Sequence, residues 1–117
     1  MVRISTHVLD TSHGKPAHNV IIDLHLCASG GRRHIKTAAT NQDGRTDEPM
    51  LAGDRLETGV YELTFHAGEY FRSMGIELSD PPFLNDVVIR FGLSDPVGNY
   101  NVPLLLSPYG YSTYRGS

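Results

Sequence analysis

The sequence predicts an all-β fold, a two-sheet antiparallel β-sandwich of seven or eight short strands with one short helix. Two patterns carry this expectation: apolar and polar residues alternate along most of the chain, and turn formers recur every 8 to 12 positions. A third observation sets the size. With 117 residues the chain can close one hydrophobic core but not two, so a single domain over 1–117 is expected.

In the first strand Val2, Ile4, Thr6 and Val8 face inward, while Arg3, Ser5, His7 and Leu9 face outward. A turn at Gly14, Lys15 and Pro16 leads to a second strand, His18 to Cys27, with Val20, Ile22, Leu24 and Leu26 inward. A third strand is expected from His34 to Thr40, followed by the turn Asn41, Gln42, Asp43, Gly44, in which Gly44 can take a positive φ. A strand from Gly59 through Phe65 gives way to a short helix, Ala67 to Met74, with Tyr70, Phe71 and Met74 on one face before Gly75. After Pro81 and Pro82 a strand spans Asn85 to Leu93, and a hairpin is expected at Asp95 to Asn99. The last strands, Tyr100 to Ser107 and Tyr109 to Gly116, turn through Ser107 and Pro108.

A net charge of −3 with scattered basic residues argues against a nucleic-acid partner. No apolar run approaches the ~20 residues of a membrane helix, and MVRISTHVLD lacks the pattern of a secretory signal. The single cysteine, Cys27, allows no intrachain disulfide and fits a reducing compartment, so a cytoplasmic address is expected. In the strand from Tyr100 both faces are apolar: Val102, Leu104 and Leu106 face the core, and Pro103 and Leu105 face away. Self-association is the simplest cover for that second face, which predicts a homo-oligomer. Pro103 lacks an amide hydrogen and belongs at an edge or an irregularity.

The six histidines, at 7, 13, 18, 25, 34 and 66, include no pair spaced as metal ligands on a strand or helix, so no metal is expected. Neither a GxSxG elbow nor a phosphate-binding glycine loop occurs. Generic motifs therefore assign no chemistry.

Three longer segments do: STHVLDTSHGKPA at 5–17, TNQDGRTDEP at 40–49 and YNVPLLLSPYGYSTYRGS at 100–117. Together they resemble the 5-hydroxyisourate hydrolase family, whose signature is the C-terminal Tyr114, Arg115, Gly116, Ser117, while LSPYGYST at 106–113 is also similar to the hormone carrier transthyretin. The resemblance covers essentially the whole chain. It implies a transthyretin-like fold and a cytoplasmic, cofactor-free enzyme of urate (purine) degradation. The implied reaction is hydrolysis of 5-hydroxyisourate to 2-oxo-4-hydroxy-4-carboxy-5-ureidoimidazoline. The implied assembly is a homotetramer with active sites in clefts at the dimer–dimer interface.

In such enzymes the site combines a histidine of the first strand, an arginine after the NxDGR turn, a histidine of the penultimate strand and the C-terminal signature. These positions fall here on His7, Arg45, Asn101 and Tyr114 to Ser117. The resemblance implies catalytic roles for His7, Arg45, Asn101 and Ser117, and substrate contacts from the same residues with Tyr114, Arg115 and Gly116. Amide hydrolysis needs a group that moves a proton from the attacking water, and imidazole titrates near neutrality. Arg45 offers a fixed fork of donors, and Ser117 a hydroxyl.

Asn101 departs from the pattern, because an amide bonds as donor or acceptor but exchanges no proton near pH 7. Three accounts stay open: His7 suffices with Asn101 orienting water or substrate, the chain is a catalytically weakened or inactive relative, or it is a non-catalytic small-molecule carrier resembling transthyretin. The other five histidines are read as surface residues.

Overall fold

A computed structural model of the chain describes residues 1–116. The strands are β1 (Val2–Asp10), β2 (Lys15–Pro16), β3 (Ile21–Ala28), β4 (Gly31–Ala39), β5 (Leu51–Gly53), β6 (Gly59–His66), β7 (Asp86–Leu93), β8 (Tyr100–Ser107) and β9 (Gly110–Thr113), with helix α1 (Ala67–Ser73) between β6 and β7. One sheet has the order β2-β1-β8-β9 with β5 also on β1, and the other has the order β4-β3-β6-β7. The sandwich read from the alternation is the fold observed, and the inward residues of the first two long strands, Ile4, Val8, Ile22 and Leu24, are fully buried. Each such side chain contributes about 1.5–3 kcal/mol through burial.

Four details differ from the sequence reading. Lys15–Pro16 is not only a turn but pairs with Leu9 and Asp10, and Leu51–Gly53 pairs with Val2 to Ile4. Both pieces are too short to show alternation, and they raise the total to nine strands among the described residues. The span Asp95 to Asn99 is a crossover rather than a hairpin, because β7 and β8 lie in different sheets. That crossover makes β8 parallel to β1, the one parallel pairing among the described strands. Strand boundaries also move: β3 starts at Ile21, β4 at Gly31, and β9 stops at Thr113.

Pro103 explains where β9 stops. β8 is an interior strand, so Pro103 is not at an edge. The Asn101 carbonyl accepts from the Gly116 amide at 2.8 Å, and carbonyls two residues apart on a strand point the same way. The missing Pro103 N–H therefore faces the tail, where the ladder lapses after Leu104↔Thr113 and resumes in register as the bridge Asn101↔Gly116. The Thr113 hydroxyl donates to the Pro103 carbonyl at 2.7 Å and fills part of the gap. Pro103 is already buried within one chain and Leu105 is half-buried, so this face is less bare than its composition suggested.

Helix α1 buries Ala67, Gly68, Tyr70 and Phe71, and Gly75 ends it at φ 79°. The Tyr70 hydroxyl donates to Asp10 at 2.7 Å, fixing the helix to the end of β1. Asp10 is fully buried. Burial pushes its carboxyl up, yet hydrogen bonds from Ser12, Tyr70 and His13 outweigh that and hold it below the usual range. Burial and the Asp10 carboxylate both push the Tyr70 phenol well up, so it stays a donor.

The outer face of the second sheet carries a network of ion pairs among exposed apolar residues such as Val60 and Val88. Glu62, 4% exposed, receives Arg90 and Arg32. Beside it His66 Nε2 lies 2.8 Å from Asp23, and His66 Nδ1 lies 3.2 Å from Asp86. The hydrogen bond with Asp23 raises the His66 pKa against the opposing effect of burial. For Asp23 burial acts upward, but bonds from His66 and Thr37 dominate and its pKa is lowered.

A raised imidazole stabilises the fold fully below its unfolded pKa near 6.5, and that contribution is lost as pH rises through the folded value. The depressed Asp23 works from the other side, contributing above 3.8 and losing its contribution as pH falls through its folded pKa. Urea denaturation should therefore show His66→Ala losing more stability, relative to the unchanged protein, at pH 5.5 than at pH 8.5. An equal loss at both pH values would show that the ion pair contributes nothing.

Candidate functional site

The outward residues of β1 and β8 form one polar strip. Parallel pairing sets Ser5 beside Asn101, His7 beside Pro103 and Leu9 beside Leu105. On the other flank of β8 the bridge Asn101↔Gly116 brings the tail back beside Asn101. His7 and Asn101 are half-buried, whereas Arg45 and Tyr114 are exposed.

Arg45 reaches the strip through an isolated antiparallel bridge, His7↔Arg45. The turn before it is fixed by Asn41, whose side-chain oxygen accepts from the amides of Asp43 at 2.9 Å and Arg45 at 3.2 Å. Gly44 then passes flush against β1: its carbonyl accepts from the Val8 amide at 2.8 Å. At φ +77° a Cβ there would lie 2.4 Å from the Val8 carbonyl oxygen and 3.3 Å from the His7 ring. The glycine seen in the sequence as a turn former is thus also what lets Arg45 approach His7.

Partial burial lowers the His7 pKa, the Arg45 charge lowers it further, and the Asp43 carbonyl opposes them. His7 is accordingly neutral at pH 7 and able to accept a proton. Arg45 also lines a cleft of about 190 Å³ with Arg3, Ser5 and Asp47 among others.

Asn101 is held from two directions. The Ser5 hydroxyl donates to its Oδ1 at 3.4 Å, and the tail closes on the other flank, where a Cβ on Gly116 would lie 2.7 Å from Asn101 Nδ2. Arg115 turns away from this strip. Its guanidinium sits 4.2 Å from the centroid of the Tyr100 ring and bounds a separate cavity of about 320 Å³ with Ile89 and Val102. The geometry thus groups His7, Arg45, Asn101 and Gly116 along one strip and leaves Tyr114 and Arg115 lining the separate cavity; Ser117 lies outside the described residues. The sequence reading passed over Ser5, although its alternation already put Ser5 on the face of His7.

Among the described residues no group of three or more His, Cys, Asp or Glu side chains is placed to hold a metal ion. No helix is long and apolar enough to cross a membrane.

Residues 4–116 match the model of the HIUase/Transthyretin family. The chain is similar to 5-hydroxyisourate hydrolase 2 of Rhizobium meliloti, at 57% identity over 98% of this chain and 96% of the relative. Solved structures resemble it as well. A crystal structure of (S)-allantoin synthase shares 43% identity at a TM-score of 0.91, with 99% of this chain aligned to 44% of that longer one. Sea bream transthyretin in complex with thyroxine shares 28% identity at a TM-score of 0.84, covering 97% of this chain and 93% of that one.

Gly44→Ala tests the turn. The clash with the Val8 carbonyl and the positive φ should cost about 2 kcal/mol or more in urea denaturation. Gln42→Ala, at an exposed position of the same turn, should change stability by less than about 0.5 kcal/mol.

Proposed function

The chain belongs to the HIUase/Transthyretin family, and on that premise we propose that it hydrolyses 5-hydroxyisourate on the outer strip of β1 and β8. The observation that carries the reading is the grouping of His7, Arg45 and Asn101, from three separate segments, around one side of the first sheet. Relatives carrying the hydrolase name at 57% identity supply the reaction class.

The reaction adds water across a ring amide. Neutral His7 takes a proton as the water oxygen bonds to the carbonyl carbon, and the tetrahedral oxyanion forms beside the Arg45 guanidinium. The C–N bond then breaks, the leaving nitrogen receives the proton held by His7, and the carbonyl carbon becomes a carboxylate. The product is 2-oxo-4-hydroxy-4-carboxy-5-ureidoimidazoline. Asn101 contributes hydrogen bonds and no proton transfer. Gly116 lies against Asn101 at the edge of this site and Ser117 supplies a hydroxyl, while Tyr114 and Arg115 line the neighbouring cavity, where Arg115 braces the tail on the Tyr100 ring.

The assembly is a homotetramer whose sites open at the dimer–dimer interface. The half-buried Leu9 and Leu105 beside the polar strip support an interface there. The free cysteine Cys27 supports a cytoplasmic address.

The ultraviolet decay of freshly generated 5-hydroxyisourate should be accelerated by the protein. His7→Ala should slow it by ~10²–10⁴-fold, and Asn101→His should match or exceed the unchanged chain. Because the neutral imidazole is the active form and its pKa is lowered, the rate should be level above pH 7 and fall only below about 6.5. Decay at the spontaneous rate with every variant would end the hydrolase reading. Activity confined to Asn101→His, with ligand retained by the unchanged protein, would make this chain a carrier.

A further inference from the structure

Between the end of β9 and Gly116 the backbone of the tail has little to hold it. The last ladder pair is Leu104↔Thr113, and Pro103 offers no amide hydrogen beyond it. Among the described residues the tail then returns to β8 through one backbone bond, from the Gly116 amide to the Asn101 carbonyl at 2.8 Å. A net hydrogen bond favours the closed segment only about 2- to 10-fold, and the entropy of ordering residues 114–116 works against it. The Arg115 side chain supplies a second grip. Its guanidinium carbon lies 4.2 Å from the centroid of the Tyr100 ring, and Nη2 donates to the Asn99 carbonyl at 3.4 Å. The ring is a fixed platform: Tyr100 is buried, and its hydroxyl accepts from the Asp95 amide at 2.9 Å.

Resting on the hydrolytic reading above, we propose that Arg115 is a positioning residue: stacked on Tyr100, it latches the tail closed so that Gly116 stays seated against Asn101, and it makes no contact with the substrate. A guanidinium suits this task. It is planar and always charged, so it lies on an aromatic face while its edge still donates to a carbonyl. The two anchors divide the work, since Gly116 fixes where the backbone rejoins β8 and Arg115, one residue earlier, fixes how it arrives. The family resemblance implied a substrate contact for Arg115. The geometry gives its charge another partner, in a cavity that shares no lining residue with the cleft of Arg45.

Opening of the tail can be read without turnover, because the Gly116 amide exchanges with solvent when its bond to Asn101 breaks. In ¹H–¹⁵N spectra Arg115→Ala should speed Gly116 exchange by about 3- to 10-fold, the size of a cation–π contact and a weak hydrogen bond together. Arg115→Lys keeps a charge over the ring and should recover part of that protection. Tyr100→Leu should speed exchange as well, and adding Arg115→Ala to it should then change exchange by less than about twofold, the partner being gone already. Against 5-hydroxyisourate, Arg115→Ala should lower kcat/KM by less than about threefold, following the share of molecules whose tail opens. Loss of a direct charged contact with substrate would instead cost about 10- to 100-fold with Gly116 exchange unchanged, and that pattern overturns the proposal. So does an Arg115→Ala effect that persists in full on top of Tyr100→Leu. Should Tyr100→Leu fail to fold, the two variants of the exposed Arg115 decide alone: Gly116 exchange within about twofold of the unchanged protein in Arg115→Ala, or no recovery in Arg115→Lys, overturns the latch. If the unchanged protein does not accelerate decay, the hydrolytic reading falls, and the exchange rates still decide whether Arg115 holds the tail.

Discussion

The parallel pairing of β1 with β8 is the constraint on which the site depends. It joins residues 96 apart in the chain, Ser5 with Asn101, and a contact of that separation carries the entropy cost of closing a long loop. The Thr6 hydroxyl reinforces it from inside the core, donating to the Val102 carbonyl at 2.7 Å. Because side chains alternate strictly along both strands, one register fixes the whole strip: a slip by one residue would carry His7 into the core and Thr6 out. The buried residues Ile4, Val8, Val102 and Leu104 therefore enforce the position of the polar ones.

A second layer of constraint comes from backbone packed against backbone. The Asn41 side chain gathers the turn amides, Gly44 lies on β1, and Arg45 arrives next to His7. Each step fixes the backbone from which the Arg45 side chain departs, so less freedom is left to be lost when that side chain takes a defined position. The consequence is electrostatic. A guanidinium that is always charged, set beside a partly desolvated imidazole, favours the neutral ring.

Much of this was legible in the sequence, and the exceptions have physical causes. Period two placed His7 outward and Ile4 inward, and the same alternation put Tyr100 to Ser107 into one strand with its observed ends. The turn residues at 41–44 gave Gly44 its positive φ. What alternation cannot encode is which sheet a strand joins, so the crossover at Asp95 to Asn99 and the parallel sense of β8 were invisible. β2 and β5 are held by pairing to β1 rather than by any pattern of their own. The family resemblance brought forward Asn101 and the tail, but it could not place Arg115 over Tyr100 at the separate cavity.

The tail shows how a proline and a glycine divide one task. Pro103 cannot donate to the segment that follows β9, so pairing lapses at residues 114 and 115 and these side chains are released from the ladder. Gly116 then returns to β8, and its lack of a side chain is what allows the return, because Asn101 occupies the space a Cβ would need. A larger residue at 116 would push the tail off the strip, and a residue with an amide hydrogen at 103 would draw Tyr114 back into regular pairing. The tail is thus anchored at Gly116 yet free of the ladder at Tyr114 and Arg115, and both of these side chains line the cavity beside Tyr100 and Val102.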